Sequence, residues 1–443
     1  MEKVVGEDIE ETKERGRGTQ GQWVMKSFGY EEWGWRCLRV STDAAEKMGF
    51  SRIPDTNVED VSVDGLAMIY STVTEDRKRN STFHSFLPRE IALERENHLT
   101  MYDNGIPRAN KVVFGSTDPT STKTFEAKVK KKKVIICSGA LGSPQVLMLS
   151  GIGPRQHLEE HNIKVIHDLP EVGSNFDKRL TIINHNPQND RPSIPVAWEI
   201  PISKSIFQVA VSPLKAILEF VEYLLFGTDA SGPHIKDSSP QNIEAIPTET
   251  SPLHPSKSQN LVPDIELVPL AVSAMEDMKE HQSTFSKMGI FCTLAVICNS
   301  LSRGSVRLRS SPAHAFPAVD FGIFSNPSDM ILARRAVHLA LAFGKTMLSA
   351  GFPLLRPVTF SSESQDLDYE IRSTIHRHVA WVLKADENAP GVVDNELRVH
   401  GVKGVRIADA SVFRKIVSHH TMAPAAMVAT RSAGFVVDAQ KNS

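Results

Sequence analysis

The run VIICSGALGSPQVLMLSGIGP, residues 134–154, constrains the fold more than any other stretch. Val134, Ile135 and Ile136 are β-branched and favour a strand, which Gly139 then turns tightly. Beyond the turn, Ser143 is placed to cap a helix, Pro144 suits a first helical position, and Gly151 can take the left-handed conformation that ends it. The segment therefore predicts strand, tight turn, capped helix and loop in that order.

The remaining chain supports a mixed α/β (α+β) body. NHLTMYDNGIPRANKVVFGS, from Asn97, alternates apolar and turn residues as successive strands do, and SRGSVRL, Ser302–Leu308, reads as a turn and a strand. From Pro327 to Leu348, apolar residues such as Met330, Ala333, Val337, Leu341 and Phe343 recur at helical spacing. Residues 205–226 form the most apolar long window, but Gln208, Lys215, Glu219 and Glu222 interrupt it, so it predicts an amphipathic core helix rather than a membrane span. Ser, Pro, Thr and His enrich residues 227–263, which read as a long flexible surface insertion.

Length and charge bound the partners. With 443 residues and a formal net charge of -2, the chain has room for two or three domains and no global pull toward nucleic acid or an anionic membrane. Lys130–Lys133 run straight into the strand at Val134, as a solvated strand entrance would. Cys37, Cys137, Cys292 and Cys298 make no C-x-x-C pair, so no structural disulfide is expected. The first residues carry no apolar signal core, which favours a cytoplasmic location for the chain as written.

GRGTQG, Gly16–Gly21, matches the dinucleotide pattern G-x-G-x-x-G. That pattern has physical meaning only where a buried strand enters the loop and a helix leaves it. GEDIEETKER upstream is too charged for a central parallel strand, and QWVMKSFGYEEWGW downstream has no helical apolar face. The match is read as accidental and the stretch as a flexible loop closing a tail over residues 1–20.

The stretch from Gly139 to Pro154 resembles the second signature of the glucose-methanol-choline (GMC) oxidoreductases at Gly139, Ala140, Ser143, Pro144, Val146, Leu147, Ser150, Gly151, Ile152 and Gly153. RNSTFHSFLP, HLEEHNIKVIHDLPEVGSN, SRGSVRLRSS and VVDNELRVHGVKGVRIADASVF extend the resemblance over most of the chain, from about Gly21 to Val437. The resemblance implies an FAD-binding domain assembled from residues 96–180 and 391–437. It also implies a substrate domain with an antiparallel sheet and helices from residues 21–95 and 181–390. In this family an opening strand, a glycine loop, an acidic ribose ligand and a first signature precede the counterpart of Met1, so the flavin domain is expected to be incomplete.

By the same resemblance, the chemistry is alcohol oxidation: a hydride leaves the alcohol carbon for flavin N5 while a histidine takes the hydroxyl proton. SHHTMAP resembles the family's S-x-H-T-x-A-P and places one catalytic histidine at His420, with His419 and Thr421 beside it as cofactor contacts. The other histidine corresponds to His376 or His378, in a segment that carries Trp381 where the family has small residues. ADAS, Ala408–Ser411, resembles a flavin-contacting segment and makes Asp409 and Ala410 cofactor contacts, together with Gly139 and Ala140; a strand-end aspartate capping a turn is the structural alternative. NFDKR at Asn175–Arg179, Arg414 and Thr430 depart from the family pattern. The readings left open are an alcohol oxidase or dehydrogenase, secondary metabolism among its contexts, a cyanohydrin lyase, and a non-catalytic relative that binds or interacts. A metal site on His376, His378 and His420 is the weakest alternative, and no metal is expected. The expected partner is a small-molecule alcohol, and the sequence leaves the oligomeric state open.

Overall fold

The computed structural model describes residues 2–26, 35–53, 55, 65–67, 70–75, 78, 80–82, 85, 96–102, 105–115, 123–129, 133–174, 176–180, 193–200, 263–270, 289–312, 315–352, 354, 356–357, 366–374, 379–383, 391–413 and 421–441. The architecture is mixed α/β and falls into two compact units. The first takes Met1–Ser81, Ile194–Ala295 and Leu332–Ile375, and the second Thr82–Ser193, Val296–Ile331 and His376–Ser443. The predicted helix at 205–226, the insertion at 227–262 and Lys130–Lys132 lie outside the described residues.

The first unit opens with β1 (Glu2–Val5), α1 (Ile9–Glu14) and β2 (Trp23–Lys26), and β1 and β2 pair in parallel. Residues 2–20, expected as a tail, are thus part of a folded unit. Asp8 caps α1 by accepting the amides of Glu10 and Glu11, each at 3.0 Å, so a charged sequence suits a short exposed helix. GRGTQG lies between α1 and β2, after the helix rather than before it, which reverses the order a dinucleotide loop needs. Nor is it a free loop. The Arg17 guanidinium, 2% exposed, donates to both oxygens of Glu2 at 2.9 and 3.1 Å and to Asp55 at 2.5 Å, and lies 4.4 Å from the centre of the Tyr70 ring. A Cβ on Gly18 would sit 2.5 Å from the Glu2 carbonyl oxygen, so only glycine lets the loop pass this close to β1. The Tyr70 hydroxyl donates to Glu7 at 2.9 Å, and burial followed by that carboxylate pushes its pKa up to about 12.

Elsewhere in this unit, a four-stranded sheet orders Ile265–Leu270, Gly289–Ile297, Ser193–Ile200 and Arg356–Pro357. The helix Ser328–Ser349 matches the apolar spacing seen in the sequence. Its Phe343 and Met347 pack with Ala44, Ala45, Phe291, Phe352 and Leu354 into one core cluster, where the rings of Phe291 and Phe352 meet edge to face at 5.3 Å.

The second unit begins with an antiparallel sheet of β3 (Glu96–Tyr102), β4 (Arg108–Gly115) and β5 (Thr124–Lys128). β6 (Val134–Ile136), α2 (Gly139–Leu149) and α3 (Arg155–Glu160) follow. A second sheet orders β9 (Ala318–Asp320), β8 (Arg303–Arg307), β7 (Phe176–Leu180) and β10 (Val379–Leu383), all antiparallel neighbours. β11 (Val405–Ile407) pairs in parallel with β6, and α4 (Met422–Lys441) ends the described chain. Ile136, Leu147, Met148, Ile152, Leu158, Val172, Leu308, Val405 and Ile407 build the core that holds β6, α2 and β11 together.

α2 starts four residues before the predicted cap, which corrects the role given to Ser143: Ser143 and Pro144 lie inside the helix, and Ser138 stands at its start with no side-chain capping bond. Gly151 does take the left-handed conformation after the helix, at φ +79°. Cys137, Cys292 and Cys298 are free thiols. Among the described residues no helix is long and apolar enough to cross a membrane.

α3 is tied to the second sheet through His157, whose Nε2 accepts the Leu308 amide at 2.9 Å and must therefore be unprotonated. Burial, then the charges of His161 and Arg307, hold its pKa below the ordinary 6.5, against a smaller opposing pull from Glu160.

Two predictions follow from these contacts. Replacing Asp55 with alanine leaves the buried Arg17 with Glu2 as its remaining carboxylate partner and should cost about 1.5–3 kcal/mol, the range of a hydrogen bond to a charged group, in denaturant titrations. Lys13→Ala, which removes an exposed i,i+3 pair with Glu10, should cost under about 0.5 kcal/mol. Equal losses would show that the Arg17 network is not buried as described. Because the folded-state pKa of His157 is depressed, its contribution is present above about pH 6.5 and lost as the pH falls through the folded value. His157→Gln should flatten that part of the stability profile between pH 5 and pH 7, measured by denaturation at fixed salt.

Candidate active site

The two parallel strands β6 and β11 run side by side and end at the same edge, Val134 opposite Val405 and Ile136 opposite Ile407. The carboxyl end of a parallel pair is where open α/β sheets bind ligands, because the loops leaving the strands diverge there. After β6 the chain passes Cys137 and Ser138 and enters α2 at Gly139; after β11 it passes Ala408 and reaches Asp409 and a 3₁₀ turn at Ala410–Val412. The Ala408 amide donates to the Ile136 carbonyl at 2.8 Å and extends the pairing by one residue.

Asp409 joins these two exits. Its Oδ2 accepts the Gly139 amide at 3.1 Å and the Ser143 hydroxyl at 2.5 Å, and its Oδ1 accepts the Ser411 amide at 2.8 Å. One carboxylate thereby caps the 3₁₀ turn on its own segment and the N-terminus of α2 on a distant one. Negative charge belongs there, since the first turn of an eleven-residue helix presents unsatisfied amides and the positive end of its dipole. Sequence reasoning put Ser143 in the capping role; it holds the capping carboxylate instead.

The surroundings are nearly closed. Ser143 is fully buried, Asp409 and Ser411 are buried, and Ala140 packs into the interior. The exception is Gly139: at φ +73° no described atom lies within 4 Å of where its Cβ would be, so open space adjoins the junction. The Ser411 hydroxyl is buried with no hydrogen-bond partner among the described residues. Cys137 is an exposed residue, yet its sulfur lies close enough to the junction that desolvation, then the charge of Asp409, raises its pKa against a smaller pull from the Ala408 amide. Its thiol stays protonated at neutral pH, which argues against a nucleophile.

Of the residues expected to contact a cofactor, the structure brings Gly139 and Asp409 into direct contact. Ala410 packs against the buried Phe413, as do Ala425 and Val428 of α4. Thr421 is buried at the start of that helix, where its carbonyl accepts the Ala425 amide at 2.9 Å. His419 and His420 immediately precede Thr421, and His376 and His378 lie three and one residues before β10; all four lie outside the described residues. No group of three or more metal-ligating side chains occurs among the described residues. Ser411 was missed as a site residue, although its place two positions after Asp409 is the spacing of an aspartate-capped turn.

Ser143→Ala should cost about 1.5–3 kcal/mol, the range of a hydrogen bond to a charged group, in urea denaturation of the full chain. A neutral substitution would mean that the Asp409 carboxylate does not depend on this hydroxyl.

Residues 30–181 and 300–429 match two family models described as GMC oxidoreductase, which together cover more than half of the chain. An oxygen-dependent choline dehydrogenase of Brucella melitensis is 28% identical over 408 residues, covering 89% of this chain and 67% of the relative. Among solved structures, a formate oxidase of Aspergillus oryzae superimposes with a TM-score of 0.71 at 18% identity, over 100% of this chain and 77% of that one. An FAD-dependent oxidoreductase of Chaetomium thermophilum does so with a TM-score of 0.67 at 18% identity, over 99% and 79%. With both family models matched over more than half of its length, the protein belongs to the GMC oxidoreductase family.

Proposed function

We propose that this chain is an FAD-dependent oxidoreductase that acts on the CH–OH group of a small-molecule alcohol. The observation that carries the reading is the junction at the ends of β6 and β11, where family membership and local geometry meet. The described residues fit a flavin nucleotide there on two counts: the space beside Gly139 is open, and the buried Ser411 hydroxyl has no partner among the described residues. Gly139, Ala140, Asp409 and Ala410 would hold it, with His419 and Thr421 at the approach to α4. The residues from 96 to 180 and from 391 to 437 form the flavin-binding part in this reading, and residues 21–95 and 181–390 the substrate part.

The bound flavin supplies an acceptor for a hydride from the alcohol carbon. His420 serves as the base that takes the hydroxyl proton, a task that suits imidazole because its ordinary pKa lies near neutrality. His376 or His378 is the second histidine of the pair in this reading. Asp409 acts indirectly: its carboxylate fixes Gly139 and Ser411 and so sets the shape of the floor against which the ligand lies.

The purified chain, incubated with FAD and freed of excess, should show flavin absorbance in the visible region. His420→Ala should retain that absorbance while kcat for alcohol oxidation falls by roughly 10²–10⁴. A protein that stays colourless with added FAD would shift the reading to a relative that binds without catalysis. Full activity in the variant would remove His420 as the base.

A further inference from the structure

We propose that α4 is a self-association surface, through which two copies of this chain pair as antiparallel helices across a two-fold axis beside Gly434. The proposal is independent of the flavin reading above. α4 runs for twenty residues, Met422–Lys441, and Ser432 is the one buried residue in it. Most helices in folded proteins owe their stability to packing an apolar face, and a helix that buries so little gains little in this way. Its outer side is also poor in charge for its length. Arg431, Asp438 and Lys441 are the only ionisable residues of α4, and Met427 and Val437 stand 64% and 49% exposed beside them. A second packing surface against this outer side supplies the burial that the chain itself does not.

The arrangement of the exposed side chains identifies the occupant as a second copy. Met427, Arg431, Gly434 and Asp438 are all exposed and recur every three or four residues, which places them on one stripe of the helix. Residues seven apart on an α-helix differ in direction by only about 20°, so Arg431 and Asp438 lie along the same edge of that stripe. They are separated by about 10 Å along the axis, too far to pair with each other. Neither makes an ion pair among the described residues. The Arg431 guanidinium lies over the Phe435 ring instead, 4.8 Å from its centre. A two-fold axis midway between Arg431 and Asp438 reverses the second helix and sets each Arg431 opposite the Asp438 of the other copy. One charge of each sign thus makes the stripe complementary to itself, whereas a strongly acidic or basic partner would meet one like charge.

Gly434 lies at the crossing point of this arrangement. A glycine weakens the interior of a helix, and no described atom lies within 4 Å of where its Cβ would be, so contacts within the chain do not call for it. Across the two-fold axis, the missing side chain lets the two backbones come close. A single helix pair is at the small end of specific interfaces, so the association is a reversible, concentration-dependent equilibrium.

Sedimentation equilibrium of the full chain, from about 1 to 200 µM, should show monomer giving way to dimer, as an interface of this size predicts. Arg431→Asp and Asp438→Arg should each weaken the dimer roughly tenfold, because each reversal sets like charges opposite one another at both ends of the crossing. Combining the two reversals restores opposite signs and should return the affinity to within about threefold of the parent. Gly434→Leu should abolish the dimer by holding the helices apart. Its thermal midpoint at low concentration should not fall, since leucine is the better helix former. Far-UV circular dichroism checks that each variant folds, and Gly434→Leu carries the test alone if a charge reversal unfolds the chain. A chain that stays monomeric over the whole range overturns the proposal. So does a dimer that ignores the single reversals, one that the double reversal fails to restore, or one that Gly434→Leu leaves intact.

Discussion

The carboxylate of Asp409 is the contact on which the geometry of the candidate site depends. It lies at the end of β11 and holds Gly139 and Ser143, which are 270 and 266 residues away in sequence. Two parallel strands of three residues each make few ladder bonds, and short parallel pairs are not stable by themselves. The apolar packing of Ile136, Leu147, Val405 and Ile407 supplies the cohesion, and it is non-directional. Asp409 adds direction: two oxygens with three donors permit only one relative placement of the α2 start and the 3₁₀ turn.

That arrangement also explains how α2 begins without a local cap. Ser138 contributes no side-chain bond, and Pro144, inside the helix, lacks an amide to bond back toward Ala140. A helix with both weaknesses would fray at its start if isolated. The remote carboxylate offsets them by satisfying the Gly139 amide and anchoring Ser143, so the helix starts where the tertiary structure fixes it.

The limits of the sequence follow from the same contacts. The strand at Val134, the helix ended by Gly151, the strand at Arg303 and the helix at Ser328 were legible because each rests on local pattern: β-branched runs, glycine conformation and apolar spacing. The start of α2 was not, since local reasoning assigns a cap to the nearest suitable serine, and the actual cap comes from a residue with no sequence proximity. The first twenty residues misled in a similar way. Their charge suggested a tail, yet Arg17 pairs with Asp55 in the interior and with the half-buried Glu2, and composition alone cannot distinguish a paired buried charge from a solvated one. For the candidate site, the DAS segment was legible as a place. The division of labour within it, with Asp409 turned toward the protein and Ser411 left unsatisfied, required coordinates.

Comparing the two glycine-containing stretches separates pattern from mechanism. GRGTQG has the spacing of a dinucleotide loop, but it follows a helix and enters a strand, and Gly18 serves a close backbone approach to Glu2. The helix that precedes it starts with Asp8, Glu10 and Glu11, so its N-terminus is already satisfied by negative charge. SGALGSP lacks that spacing, yet it leaves a parallel strand, enters a helix and adjoins open space at Gly139. Element order gives the second stretch the strand, turn and helix sequence that the first one lacks. At the start of α2 the charge that the helix dipole favours is supplied by the protein itself, through the Asp409 carboxylate that accepts the Gly139 amide.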